Sequence, residues 1–137
     1  MDRRNFIIAG SAFVATPAAA SGGLVIPASS TDSELRGLSP TGGTTYWASG
    51  SKGWVVRGRG QRQDAFRILG AEALDFRGLH AFNDQHVLAM SAGPGEASQL
   101  WRTQDGGKTW TRIAVNQDPD GFWDSLAFVD DKRGYIL

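Results

Sequence analysis

The most specific motif in this sequence is Thr103-Gln104-Asp105-Gly106-Gly107-Lys108-Thr109-Trp110. It fits the Asp-box pattern, Ser/Thr-x-Asp-x-Gly-x-Thr-Trp, at every defined position. A hairpin this tight needs positive φ angles, which its two glycines adopt at little cost. The Asp105 carboxylate is expected to accept hydrogen bonds from backbone N–H groups of the turn, and the two threonines to join that network. Trp110 is expected to be buried against the neighbouring sheet, so the motif is interpreted as a structural fastener.

Four short strands surround this motif, with Gly, Pro, Asp and Asn between them, which is typical of all-β structure. They span residues 76–82, 86–92, 99–103 and 109–114. In the first strand, alternation predicts that Phe76, Gly78, His80 and Phe82 lie on one side of the sheet.

The same pattern occurs elsewhere in the chain. Leu35-Arg36-Gly37-Leu38 recurs as Phe76-Arg77-Gly78-Leu79, a step of 41 residues from Arg36 to Arg77, and a third copy begins at Asp124-Ser125-Leu126. A period in the forties with four strands per unit predicts β-propeller blades, about two and a half of them over residues 35–137. Because propellers close with four or more blades, the chain is interpreted as the N-terminal fragment of a longer propeller. The alternative is a short chain that completes its ring by oligomerising.

The first 20 residues are predicted to be an export signal. Arg3 and Arg4 precede the apolar stretch Phe6–Val14, and Ala18-Ala19-Ala20 forms a small-residue cleavage site. The paired arginines followed by Asn, Phe and Ile resemble a twin-arginine (Tat) signal, with an ordinary Sec signal as the alternative. The apolar stretch is far shorter than the roughly 20 residues that span a bilayer. We therefore predict a periplasmic or secreted protein that is not itself an integral membrane protein.

Residues 21–34 are rich in Gly, Ser, Pro and Ala and are predicted to be a linker to the blades at 35–137. The chain has 14 Lys+Arg against 14 Asp+Glu and no Cys. The absence of Cys excludes a disulfide scaffold and a cysteine nucleophile, and the neutral balance argues against a nucleic-acid partner. His80 and His86 have no carboxylate pair at metal spacing, so no metal site is expected. The sequence has no dinucleotide-binding fingerprint, and no cofactor is expected.

Two clusters are candidate binding residues. Arg57, Arg59 and Arg62 lie where the first unit should carry its Asp box, and Arg67 follows within the same eleven residues. They are interpreted either as a solvated hairpin or as a basic patch for an anionic peptide or headgroup.

The second cluster consists of Asp118, Asp120 and Asp124 beside Phe122 and Trp123. It is either an inter-blade loop or a site for a glycan or calcium.

Several stretches resemble a known family. Trp47–Gly53, Gly70–Arg77 and Asp118–Asp124 look like the exported propellers related to the photosystem II stability/assembly factor, and the Asp box resembles the bacterial neuraminidase repeat. The resemblance implies a seven-bladed, non-catalytic propeller that acts as an assembly or binding platform for a membrane-protein complex. It also implies an arginine-rich partner-binding face, for which the five candidates are Arg36, Arg57, Arg59, Arg62 and Arg77. The alternative function is a glycan-active propeller similar to sialidases or other glycosyl hydrolases.

Overall fold

The computed structural model describes residues 32–137 in full, together with the backbone of residues 4–7, 21–22 and 24–26. In these parts the chain forms antiparallel strands arranged in three sheets, with a single 3₁₀ turn at Gly95–Ala97. The strands are β1 Arg4–Ile7, β2 Ser21–Gly22, β3 Leu24–Ile26, β4 Leu35–Gly42, β5 Thr45–Gly50, β6 Trp54–Arg59, β7 Arg62–Arg67, β8 Asp75–Ala81, β9 Val87–Ala92, β10 Gln99–Thr103, β11 Thr109–Val115, β12 Leu126–Phe128 and β13 Arg133–Ile136.

Blade 1 consists of β4 to β7, which pair in chain order as an antiparallel meander. Because successive side chains of a strand point to opposite faces, Trp47, Val55 and Phe66 share one face. The small residues Ala48 and Ala65 lie on the other. Strand β3 pairs with the outer edge of β7.

Blade 2 consists of β8 to β11 in the same order, and β2 pairs with the outer edge of β11. The four strands predicted around the Asp box are confirmed, each to within one residue at either end. Their boundaries follow from local turn chemistry, since Gly106 and Gly107 have φ angles of 70° and 91° in the hairpin between β10 and β11.

The predicted side-chain alternation in β8 is wrong. Phe76 pairs with Ser91 and Gly78 with Met90, so Arg77 is an extra residue in a β-bulge. The bulge shifts the alternation by one residue. Phe76 therefore shares the inter-blade core with Leu79 and Ala81, two residues that the alternation had placed on the opposite side.

The main core lies between blades 1 and 2. It joins Trp47, Phe66 and Ile68 of blade 1 to Phe76 and Trp110 of blade 2, all of them at most 2% exposed. The opposite face of blade 2 carries a second cluster, built on Leu88, Met90, Leu100 and Ile136. Each blade is therefore packed against the next through aliphatic and aromatic side chains.

A third unit begins with β12 and β13, which form a hairpin on the far side of blade 2. The predicted third copy is therefore present as two strands, and β1 pairs with β13. The cleavage site predicted after Ala20 lies outside the described residues, as does most of the predicted export signal and part of the predicted linker. None of the described segments forms a helix long and apolar enough to cross a membrane.

Candidate functional site

The inner strands β4, β8 and β12 run in the same direction, which gives the stacked blades two distinct edges. Arg36 lies near Asp75 at the start of these strands, and Thr41 lies near Asp84 beyond their ends. We call the edge with the strand starts the entry edge. The opposite edge holds the Asp box and is called the box edge.

At the box edge, the Asp105 carboxylate is held by donors of its own turn. Thr109 donates from its backbone N to Oδ1 at 2.9 Å and from its hydroxyl to Oδ2 at 2.5 Å, and Thr103 donates to Oδ1 at 2.9 Å. The Thr103 hydroxyl oxygen also accepts a bond from Gly107 N at 2.9 Å. Burial raises the pKa of the Asp105 carboxyl, but these hydrogen bonds outweigh burial and leave the pKa below its usual range.

This lowered pKa makes stability depend on pH through Asp105. The hydrogen bonds to the carboxylate contribute fully to stability above its unfolded-state pKa, near 3.8, and their contribution is lost as the pH falls through the lower folded-state pKa.

We expect Asp105→Ala to lower the free energy of unfolding at neutral pH by about 1–3 kcal/mol. The variant should also lose less stability than the wild type between neutral and strongly acidic pH. Urea melts at several pH values measure both, with Asp131→Asn, a change at an exposed carboxylate, as the control. Wild-type stability and pH dependence in Asp105→Ala would contradict the structural role of the box.

The Asp box also packs against blade 1. The Trp110 indole N–H donates to Gly107 O at 3.2 Å, and its ring meets Trp47 edge to face with centroids 6.3 Å apart. Arg57 of blade 1 donates to Gly106 O at 3.1 Å. The box is thus a joint between two blades as well as a hairpin.

Arg57 is the joint residue that the sequence did not identify. Its side chain is only 13% exposed and pairs with Asp64 at 3.2 Å. The guanidinium lies 5.5 Å from the Trp47 ring centroid and 5.7 Å from that of Phe66, within cation–π range. The sequence carried one sign of this role. Arg57 lies two residues after the apolar Val55 in β6, so both side chains lie on the face that packs against blade 2.

The structure does not bring the five candidate arginines into one patch. Arg36 and Arg77 lie at the entry edge, whereas the hairpin between β6 and β7 places Arg59 and Arg62 at the box edge. Each of the five pairs with a carboxylate: Arg36 with Glu34 and Asp75, Arg57 and Arg62 with Asp64, Arg59 with Asp84, and Arg77 with Asp75 and Asp124. A partner-binding role for these arginines stays a prediction.

The entry-edge arginines form a ladder of ion pairs across the units. Asp75 of blade 2 contacts Arg36 of blade 1 at 3.3 Å and Arg77 of its own blade at 3.1 Å. Arg77 in turn contacts Asp124 of the third unit at 3.5 Å. Arg36 occupies a bulge in β4 that matches the bulge of Arg77 in β8, so the sequence repeat Arg-Gly-Leu marks an equivalent structural position in both blades.

The three candidate aspartates line one cleft at the entry edge. This entry cleft has a volume of about 750 Å³ and lies beside the loop that leads from β11 to β12. Its lining includes Arg77, Asn116, Asp118, Asp120, Gly121, Phe122, Trp123, Asp124, Ser125, Ile136 and Leu137. The candidate acids therefore share a surface with the aromatics that follow them in sequence.

Two loops beside the entry cleft are tied together by hydrogen bonds. Gly95 N donates to Gly121 O at 2.8 Å, and Pro94 forms a β-bridge with Phe122. The buried Ser98 hydroxyl donates to Gly93 O and accepts a bond from Trp123 N at 2.9 Å. The loop 93–98 therefore supports the loop 116–124, a role that the sequence did not predict.

The two histidines lie on the side of blade 2 that faces the third unit. The His80 ring centroid is 4.6 Å from those of both Phe82 and Phe128. Burial lowers the pKa of His80, and burial together with the positive charges of Arg102 and His80 lowers that of His86. Within residues 32–137, no group of three or more His, Asp or Glu side chains is arranged to hold a metal ion. The calcium alternative for the aspartates gains no support from this geometry.

Comparison with known proteins identifies the architecture. The chain is similar to the solved structure of YCF48 from Cyanidioschyzon merolae, with 20% sequence identity and a TM-score of 0.55. The fold is that of a partial β-propeller. The match covers 80% of this chain and only 36% of the YCF48 chain. No protein-family model matches the sequence, and no curated protein matches it.

The predicted fold class is therefore confirmed. Two complete four-stranded blades and the first hairpin of a third stack in the order that the 41-residue repeat predicted. At this level of identity, the likeness establishes the fold and leaves the activity and partners to other evidence.

Proposed function

We propose that this chain is part of an exported, non-catalytic β-propeller that serves as a protein-binding or assembly scaffold. The observation that carries the proposal is the propeller fold shared with YCF48. It agrees with the sequence resemblance to propellers related to the photosystem II stability/assembly factor. That resemblance implies a binding platform for a membrane-protein complex.

The chemistry of the Asp box supports a scaffold. Both carboxylate oxygens of Asp105 accept hydrogen bonds from threonines of the same turn, and its pKa is lowered. A general acid at neutral pH needs a raised pKa. Asp105 is therefore suited to holding the hairpin rather than to donating a proton.

The scaffold role is tested by affinity capture from the envelope of the native host, with the full-length protein as bait. The expected result is enrichment of a membrane-protein complex relative to an unrelated exported propeller of similar size. Recovery of nothing beyond that control would contradict the proposal. The captured bait is also expected to begin at Ser21, which its intact mass would test, since the export signal is part of the same proposal.

A glycan-active propeller is the second candidate. It is favoured by one observation, that Asp118, Asp120 and Asp124 line a single cleft with Phe122 and Trp123. Its test is turnover of fluorogenic glycosides by the full-length protein. We expect no turnover; activity that Asp120→Asn or Asp124→Asn abolishes would replace the scaffold proposal with this one.

A further inference from the structure

We propose that the entry cleft binds a protein segment in which an apolar side chain stands next to Lys or Arg. The inference rests on the proposed scaffold function, since it states the chemistry of the partner that the scaffold would bind. It assigns binding to the acidic and aromatic surface of the third unit rather than to the arginines.

The entry cleft presents an apolar surface. Phe122 is 46% exposed, and it lines the cleft together with Trp123 and Ile136. Large side chains that stay exposed next to a concavity are typical of binding surfaces. Aromatic residues in particular are enriched among the anchors of protein interfaces.

The loop that carries Phe122 is held in place by neighbouring backbone. Phe122 is bridged to Pro94, and its neighbour Gly121 accepts a hydrogen bond from Gly95 N. Within the loop, Gly121 N also donates to Asp118 O at 2.9 Å. A surface held in this way loses little conformational entropy when a partner binds, which increases affinity for a given contact area.

The lining of the cleft holds more carboxylates than cations. Three carboxylates line the cleft, those of Asp118, Asp120 and Asp124. The cation in the lining is Arg77, which pairs with Asp75 and Asp124. The side chain of Asp124 remains 70% exposed in spite of that pair. The cleft is therefore net acidic, so it favours a cationic segment and disfavours an anionic one.

The proposal is tested by fluorescence anisotropy with the full-length protein and two labelled peptides. One peptide alternates lysine with leucine, and the other has glutamate in place of every lysine. We expect the lysine peptide to bind, the glutamate peptide to bind at least about tenfold more weakly, and the affinity for the lysine peptide to fall as salt is added.

Three variants locate the binding. Asp118→Asn/Asp120→Asn should weaken binding of the lysine peptide about fivefold to tenfold, because rim charges contribute modestly. Phe122→Ala should weaken it about tenfold or more, as expected for an interface anchor. The matched control is Asp130→Asn/Asp131→Asn, which neutralises two carboxylates at the opposite edge and should leave binding unchanged.

Equal binding of the two peptides would overturn the proposal, as would equal losses in the cleft and control variants. Competition by a neutral oligosaccharide would assign the cleft to sugar and overturn it as well. Affinity capture separates this inference from the scaffold function. If the Asp118→Asn/Asp120→Asn/Phe122→Ala bait still captures the partner, binding at the cleft is contradicted and the scaffold proposal stands. If the wild-type bait captures no partner, the scaffold proposal is contradicted.

Discussion

Trp110→Ala is expected to lower the free energy of unfolding by about 3–5 kcal/mol, the range found for large aromatic residues removed from a core. The Trp110 side chain is fully buried between two blades, where it contacts the Trp47 ring and donates to Gly107 O. The substitution removes apolar burial and leaves a cavity that the stiff sheets on either side fill poorly. Urea unfolding of the full-length protein measures the loss.

Phe122→Ala is the control for this prediction. It removes an aromatic side chain that is 46% exposed at the entry cleft, so we expect a loss below about 1 kcal/mol, as for most surface substitutions. The same measurement shows that the variant used in the binding experiment is folded. If Trp110→Ala and Phe122→Ala cost equal amounts, Trp110 would not be the core of the inter-blade joint.

Gly107→Ala is expected to cost about 2–5 kcal/mol, the sum of left-handed backbone strain and overpacking. Gly107 has a φ angle of 91°. A Cβ at this position would lie 2.9 Å from the Trp47 ring and 3.2 Å from that of Phe66, both buried in the joint. Neither ring can move without opening the interface between the blades. Thermal unfolding of the full-length protein should show the loss.

Gly106→Ala separates the two contributions. Its φ angle of 70° imposes a similar backbone strain, but its Cβ would meet the Arg57 guanidinium at 2.8 Å and the Gln85 amide at 3.0 Å. Gln85 is exposed and can shift, whereas Arg57 is held in the joint by Asp64 and Gly106 O. We therefore expect the backbone strain of about 1–2 kcal/mol and a small further cost from displacing the end of the Arg57 side chain. A loss for Gly107→Ala no larger than that for Gly106→Ala would show that Gly107 does not contact blade 1 as described.

Features encoded over short distances were predictable from the sequence. The Asp-box hairpin, the strand boundaries of blade 2 and the 41-residue repeat depend on glycines, turn residues and apolar runs within about one blade of each other. The bulge at Arg77 was not predicted, because a single inserted residue leaves no mark in an alternation pattern. Because of the bulge, Leu79 lies in the inter-blade core on the same face as Phe76, whereas strict alternation placed the two side chains on opposite faces.

The site was harder to predict because its contacts join residues far apart in the sequence. Arg57 has its partner Gly106 O in the next blade, and Ser98 has Trp123 N in a loop 25 residues later. From the sequence, Arg57 was interpreted as part of a solvated hairpin or a basic patch, and no role was predicted for the loop 93–98. The repeated Arg-Gly-Leu stretch located the equivalent positions of Arg36 and Arg77, but their carboxylate partners became evident only in the structure.

Consecutive units stack as propeller blades in this register, and a cysteine cross-link tests this stacking most directly. The Thr41 hydroxyl of blade 1 donates to an Asp84 carboxylate oxygen of blade 2 at 2.8 Å, and the sequence contains no cysteine of its own. Thr41→Cys/Asp84→Cys is expected to be bridged within one chain by a short bifunctional thiol cross-linker, because the side chains at these two positions are in contact. Thr41→Cys/Asp131→Cys, with its second cysteine in the turn of the third unit, should not be bridged under the same conditions. A bridge in the 41/131 pair, or none in the 41/84 pair of a folded protein, would contradict the stacking of the blades.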